Sequence, residues 1–171
     1  MKNIALIGFM GTGKTTVSHY LKDTLGMEEL ELDEMIVESE GMPITDIFAA
    51  HGEPYFRDCE SRAILRFDQY SHAVISCGGG AVIRKENVEN LKKNCLIILL
   101  TASPETIFSR VKDSDERPIL NGNMNVAYIA GLMEKRRKIY EEAADVVIST
   151  DGKTVEEIVR ELMEKVKLNE R

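Results

Sequence analysis

With 171 residues, 43% of them apolar and 30% charged, the chain is long enough to bury a substantial core and too apolar to be disordered. A net charge of −7, from 29 acidic and 22 basic side chains, excludes a general binder of nucleic acid or anionic membrane, so an anionic ligand needs a local basic pocket. The longest apolar runs, such as 95–100, fall far short of the roughly 20 residues that span a bilayer, and the first residues carry no secretory pattern. A cytoplasmic monomer without nucleic-acid or membrane partners is the expectation.

In chain order, an apolar run at 3–7 reads as a first strand and is followed by "GFMGTGKTT" at 8–16, then by helical spacing over 15–25. A second strand is expected at 29–32, closed by Asp33. Helical spacing over 44–69 comes next, with Phe56, Cys59, Ala63 and Phe67 as its apolar stripe. A third strand at 73–76 runs into Gly78, Gly79 and Gly80, and a helix follows at 85–93. The strand at 95–100, the helix at 104–110, a polar stretch over 111–125 and a helix over 126–142 lead to a last strand at 145–149. The chain closes with Thr154 and Glu157 in a capping-box pattern, then Ile158, Val159, Leu162 and Val166 along one helical stripe. Short apolar strands alternating with helices indicate a doubly wound α/β sheet, with residues 1–171 as one domain. Cys59, Cys77 and Cys95 lie 18 residues apart with no close pair, so they read as reduced, apolar-like thiols rather than a disulfide or zinc set.

The loop after the first strand fits G-x-x-x-x-G-K-[ST] from Gly8 to Thr15, in the strand-then-helix context the motif requires. Glycines let the backbone curl so that consecutive N–H groups surround an anion, and the helix N-terminus adds its dipole. Gly11, Thr12, Gly13, Lys14, Thr15 and Thr16 are therefore the expected nucleotide-phosphate cradle. Lys14 is placed to reach the β and γ phosphates and the Thr15 hydroxyl to ligate Mg²⁺. The spacing does not supply G-x-G-x-x-G, which argues against a dinucleotide fold.

The phosphate acceptor is less defined by spacing. Asp33 stands at a strand's carboxyl end, where ligand crevices form, yet aspartate also caps helices well, and the residue alone does not decide. Arg57 in "GEPYFR" and three glycines after a strand add weight, because close backbone approach at such a place suits a ligand. An isolated arginine or a plain turn would be the ordinary reading of each.

These motifs together resemble the shikimate kinases, in that family's order and over nearly the whole chain. The phosphate loop is followed by Asp33, by "GMPITDIF" at 41–48, and by "GEPYFR" at 52–57 with Glu60 three residues on. "GGG" at 78–80, "RPIL" at 117–120 and "RRKIY", with Arg136 four residues before Tyr140, complete the set. The resemblance implies a P-loop three-layer α/β/α fold around a five-stranded parallel sheet, with a substrate-binding segment at about 33–60 and a mobile lid at about 111–125. It implies ATP as co-substrate and shikimate as acceptor, the latter bound by Asp33, Arg57, Gly78, Gly79, Gly80 and Arg136. It further implies that Lys14 and Arg117 attend the transferred phosphoryl group, that Arg110 lies near the adenine, and that 151–154, including Lys153, close over the base. Shikimate's carboxylate suits planar guanidinium donors, and its hydroxyls suit Asp33, which stands as a candidate proton acceptor.

Two features depart from convention. Glu31 replaces the first aspartate of the family's usual D-x-D, lengthening that carboxylate by one methylene. No apolar run ends in a Walker B aspartate, so Mg²⁺ is expected on Thr15, phosphates and water, with Ser76 behind. A gluconate kinase of the same fold and a nucleotide-binding regulator without chemistry are the alternatives.

Overall fold

The computed structural model describes residues 2–112 and 125–169. Its elements run β1 (Asn3–Ile7), α1 (Lys14–Leu25), β2 (Glu28–Glu31), α2 (Leu32–Glu40), α3 (Ile44–His51), α4 (Glu53–Leu65), a 3₁₀ turn (Arg66–Gln69), β3 (Ala73–Ser76), α5 (Lys85–Asn94), β4 (Cys95–Thr101), α6 (Pro104–Val111), α7 (Val126–Ala143), β5 (Val146–Ser149) and α8 (Val155–Asn169). The five strands form one parallel sheet in the order β2-β3-β1-β4-β5. Among the described residues no helix is long and apolar enough to cross a membrane.

Alternation along the strands divides the core between the two faces. Ile4 and Leu6 of β1 pack with Val74, Ile98, Leu100 and Ile148 beneath α1 and α8. Ala5 and Ile7 face the other way, with Ile75, Ile97 and Leu99, against side chains of α2 to α7. The expected stripe of α8 is buried at Ile158, Val159, Leu162 and Val166. Its capping box is made: the Thr154 N–H donates to Glu157 Oε2 at 2.8 Å, and the Glu157 N–H to Thr154 Oγ1 at 3.3 Å. All three cysteines are buried and free.

Two expectations need correction. The helix read over 44–69 is three pieces, because Gly52 adopts φ 80°, ψ 173° and turns the chain between α3 and α4, and Leu65 passes into the 3₁₀ turn. Its stripe survives, since Phe56, Cys59, Ala63 and Phe67 are all buried. Asp33 does not close β2: the strand stops at Glu31, and Asp33 is the second residue of α2. Nor does it cap that helix, whose N-cap is Glu31 with no side-chain cap bond.

Because the strands are parallel, the segments after β1, β2, β3, β4 and β5 all leave from the same edge. β1 lies between β3 and β4, so the chain reverses its winding sense there, and a crevice opens at that switch point.

Candidate active site

The phosphate loop begins where β1 passes β4. Gly8 has φ 144°, and a Cβ there would strike the Leu100 carbonyl, so only glycine permits this approach. Gly13, with φ 99°, is the N-cap of α1 and provides no side-chain cap, which leaves the first N–H groups of the helix directed into the loop. The Lys14 ammonium donates to the carbonyls of Gly8 (2.8 Å) and Phe9 (3.1 Å), spanning the loop's curve. Thr12 Oγ1 donates to the Phe9 carbonyl at 2.8 Å and holds the loop closed from within.

On the β4 and β5 side, Arg110 ties this loop to the start of the segment after β5. Its guanidinium donates to the Gly11 carbonyl (2.9 Å) and to Thr150 Oγ1 (3.1 Å), while the Thr150 hydroxyl lies 3.0 Å from the Thr12 carbonyl. Asp151 accepts from the Ser103 N–H at 3.0 Å, and hydrogen bonds from Thr106 and Ser103 lower its pKa. Lys153 is paired with Glu161 of α8 at 2.6 Å. Thr15 and Thr16 are exposed at the start of α1.

On the β2 and β3 side, the glycine turn after β3 collects side chains from three helices. A Cβ on Gly78 would sit 3.0 Å from Asp33 Oδ1. One on Gly79 would sit 3.1 Å from Arg136 Nη1 and 3.2 Å from the Tyr140 hydroxyl, and one on Gly80 would overlap the Arg57 guanidinium. None of the three has a positive φ, so glycine is required here for space rather than for conformation. The close approach is made by the protein's own functional side chains, which bring Asp33, Arg57 and Arg136 around one turn.

Arg57 is held on both sides. It is 15% exposed and bonds Glu53 Oε1 at 3.1 Å and both oxygens of Glu60, which is only 2% exposed. Burial raises the Glu60 pKa, and the charges of Arg57 and Arg136 pull it back. Loss of hydration among its neighbours raises the Asp33 pKa, against the opposing charges of Lys14 and Arg57, although the residue itself is exposed at the mouth of the crevice. The Tyr140 hydroxyl donates to the Gly79 carbonyl at 2.8 Å. Glu60, Glu53 and Tyr140 have no site role in the motif reading. The i, i+3 and i, i+4 spacings of the two glutamates around Arg57 are the signal that points to them.

Between the two sides, Glu31 Oε1 lies 3.5 Å from Thr15 Oγ1. Its pKa is raised by burial and by the charges of Glu34, Asp33 and Glu29, against a hydrogen bond from Ser76. The longer side chain therefore reaches the hydroxyl expected to hold Mg²⁺. Hard oxygens beside a carboxylate crowded by like charges fit a small divalent cation. Arg117 and the lid expected at 111–125, apart from Val111, Lys112 and Asn125, lie outside the described residues.

A phosphate loop at the switch point of a parallel sheet, beside a turn ringed by one carboxylate and two guanidinium groups, defines a P-loop kinase of small anionic acceptors. Comparison with known proteins narrows the class. The shikimate kinase family model matches residues 10–167. A shikimate kinase of Persephonella marina is 44% identical, over 98% of this chain and 100% of its own length. The structure of shikimate kinase from Acinetobacter baumannii in complex with shikimate superposes with TM-score 0.88 at 30% identity, covering 99% of this chain and 94% of that one. That from Aquifex aeolicus gives 0.81 at 35% identity, over 98% and 97%. The chain belongs to the shikimate kinase family.

Proposed function

We propose that the chain transfers the γ-phosphoryl group of ATP to shikimate, forming shikimate 3-phosphate for aromatic amino acid biosynthesis, by direct in-line displacement without a covalent enzyme intermediate. The observation that carries this reading is the convergence of Asp33, Arg57 and Arg136 on Gly78, Gly79 and Gly80, beside a phosphate loop whose Lys14 acts electrostatically on Asp33. Arg57 and Arg136 take the substrate carboxylate, since planar donors suit a planar acceptor. Asp33 orients a substrate hydroxyl and accepts its proton, a task favoured by a carboxyl whose pKa is raised above the ordinary aspartate value.

The backbone of Gly11, Thr12 and Gly13, with Thr15 and Thr16, cradles the phosphates. Lys14 moves from the Gly8 and Phe9 carbonyls to the transferred group, where charge grows as the reaction proceeds. Arg110 flanks the base, with Lys153 on the segment beside it, and Arg117 keeps the role that its motif implies. Thr15 and Glu31 would hold Mg²⁺ together with the phosphates and water, with Ser76 steadying Glu31. When bound, the ion neutralises phosphate charge. The whole chain acts as one kinase domain and as a cytoplasmic monomer, with small molecules as its partners.

The test is ADP release with Mg-ATP and shikimate, quinate, gluconate or no acceptor. Strong release with shikimate alone is expected. Equal turnover with gluconate, or none with any acceptor, overturns the reading.

A further inference from the structure

The phenol of Tyr140 is a buried hydroxyl at the glycine turn, and neither the phosphate chemistry nor the carboxylate clamp uses it. It stands four residues after Arg136 on α7, one turn on along the same helix face. The ring is 5% exposed and packs in the core, which fixes where the hydroxyl ends. That hydroxyl donates to the Gly79 carbonyl at 2.8 Å, and the Arg136 guanidinium stands over the same glycine, where a Cβ would sit 3.1 Å from Arg136 Nη1 and 3.2 Å from the phenol oxygen. A hydroxyl has one proton to give and lone pairs to receive, so the donated bond leaves it able to accept from the neighbouring guanidinium.

Both partners line the acceptor site, and resting on the shikimate reading above, we propose that Tyr140 is a positioning residue that sets Arg136 and the Gly79–Gly80 backbone in fixed relation for the substrate. The Gly79 carbonyl is turned onto the phenol, and the guanidinium stands over the same glycine with no Cβ between them. A long arginine at a half-exposed position loses side-chain freedom when it binds a carboxylate, and a buried acceptor on its own helix reduces the freedom left to lose. The Tyr140 hydroxyl bonds the backbone of the acceptor-side turn, so its influence should fall on the acceptor rather than on the nucleotide.

Tyr140→Phe keeps the ring and removes only the hydroxyl. The hydroxyl acts before chemistry, so KM for shikimate should rise about fivefold with kcat little changed, the scale of one ordinary hydrogen bond. KM for ATP should stay at the parent value. A double-mutant cycle with Arg136→Lys should be non-additive, because the two side chains meet over Gly79. If Tyr140→Phe leaves KM for shikimate unchanged, or raises both KM values alike while lowering Tm, the phenol is only core packing and the proposal falls. A parent enzyme that releases ADP with shikimate isolates that failure to Tyr140. A parent that does not overturns the shikimate reading and this proposal with it.

Discussion

The phosphate loop and the acceptor site share one crevice but are assembled by opposite means. The loop is contiguous, an eight-residue motif that runs from the end of β1 into the first turn of α1, and its working groups are backbone amides shaped by Gly8, Gly11 and Gly13 at positive φ. The acceptor site is assembled from side chains on α2, α4 and α7 that meet over a turn after β3, and its glycines matter for the atoms they lack. A backbone device tolerates change in its outward side chains and depends on conformation. A side-chain device depends on each member and on what braces it, as Glu60 and Glu53 brace Arg57.

The sharpest way to separate the two is Arg57→Ala and Arg136→Ala. Removing one partner of a buried charged hydrogen bond costs about 2 to 5 kcal/mol, so kcat/KM for shikimate should fall between about thirtyfold and several thousandfold. ATP affinity, measured by titration, should hardly move. If both guanidinium groups grip one carboxylate, the double mutant should lose less than the sum. Near-parent kcat/KM in both would dissolve the distinction.

Lys14→Met probes the other side. The ammonium stabilises charge that grows toward the transition state, so the loss should fall mainly on kcat, by about a hundredfold. KM for shikimate should be largely kept. Loss of shikimate affinity of the same size would mean that the two sides are one electrostatic unit, as the influence of Lys14 on Asp33 allows.

The smallest effect concerns pH. Loss of hydration raises the Asp33 pKa, so the folded protein holds that proton more tightly than the unfolded chain does. The stability contribution is therefore full below the ordinary aspartate value of about 3.9 and is lost as pH rises from there through the raised folded value. Activity runs the other way, since the base form is lost as pH falls through the raised value. The acidic limb of kcat/KM for shikimate should stand above the ordinary aspartate range. Asp33→Asn should flatten it and lower the rate without lowering Tm at pH 7. Glu60 also has a raised pKa in the same site, so a limb that survives in Asp33→Asn belongs to Glu60 and removes the proton-accepting role from Asp33.

The same contrast explains what could be read from the sequence. The phosphate loop, the five strands and the α8 stripe are local patterns, and the structure keeps each within a residue or so. The break at Gly52 was signalled by a glycine two residues before Pro54 but was overridden by the continuous stripe through Phe56 and Phe67. α2 does not show in the pattern because its apolar residues, Leu32 and then Met35 to Val37, span too few turns to show a period, and the reading of Leu32 as strand placed Asp33 at a strand end. Asp33, Arg57 and Arg136 could be named from ordered motifs. The Arg57 bond to Glu60 needed only local geometry, whereas the Tyr140 bond to Gly79 joins residues 61 apart and could not be read from spacing.

The central place of β1 bears on how this chain acquires its activity. β1 pairs with β3, about seventy residues on, and with β4, about ninety residues on, so each side of the crevice waits for a distant segment to arrive. Closing such long loops costs entropy before any contact repays it, and parallel pairing of this kind folds slowly. A nascent chain that has emerged only through α5 already carries Lys14, Asp33, Arg57 and the glycine turn, but it lacks Arg110, Thr150 and Arg136. Catalytic competence therefore waits for the segment from β4 onward, nearly half of the chain, to dock on a half-sheet that has nothing to catalyse until then.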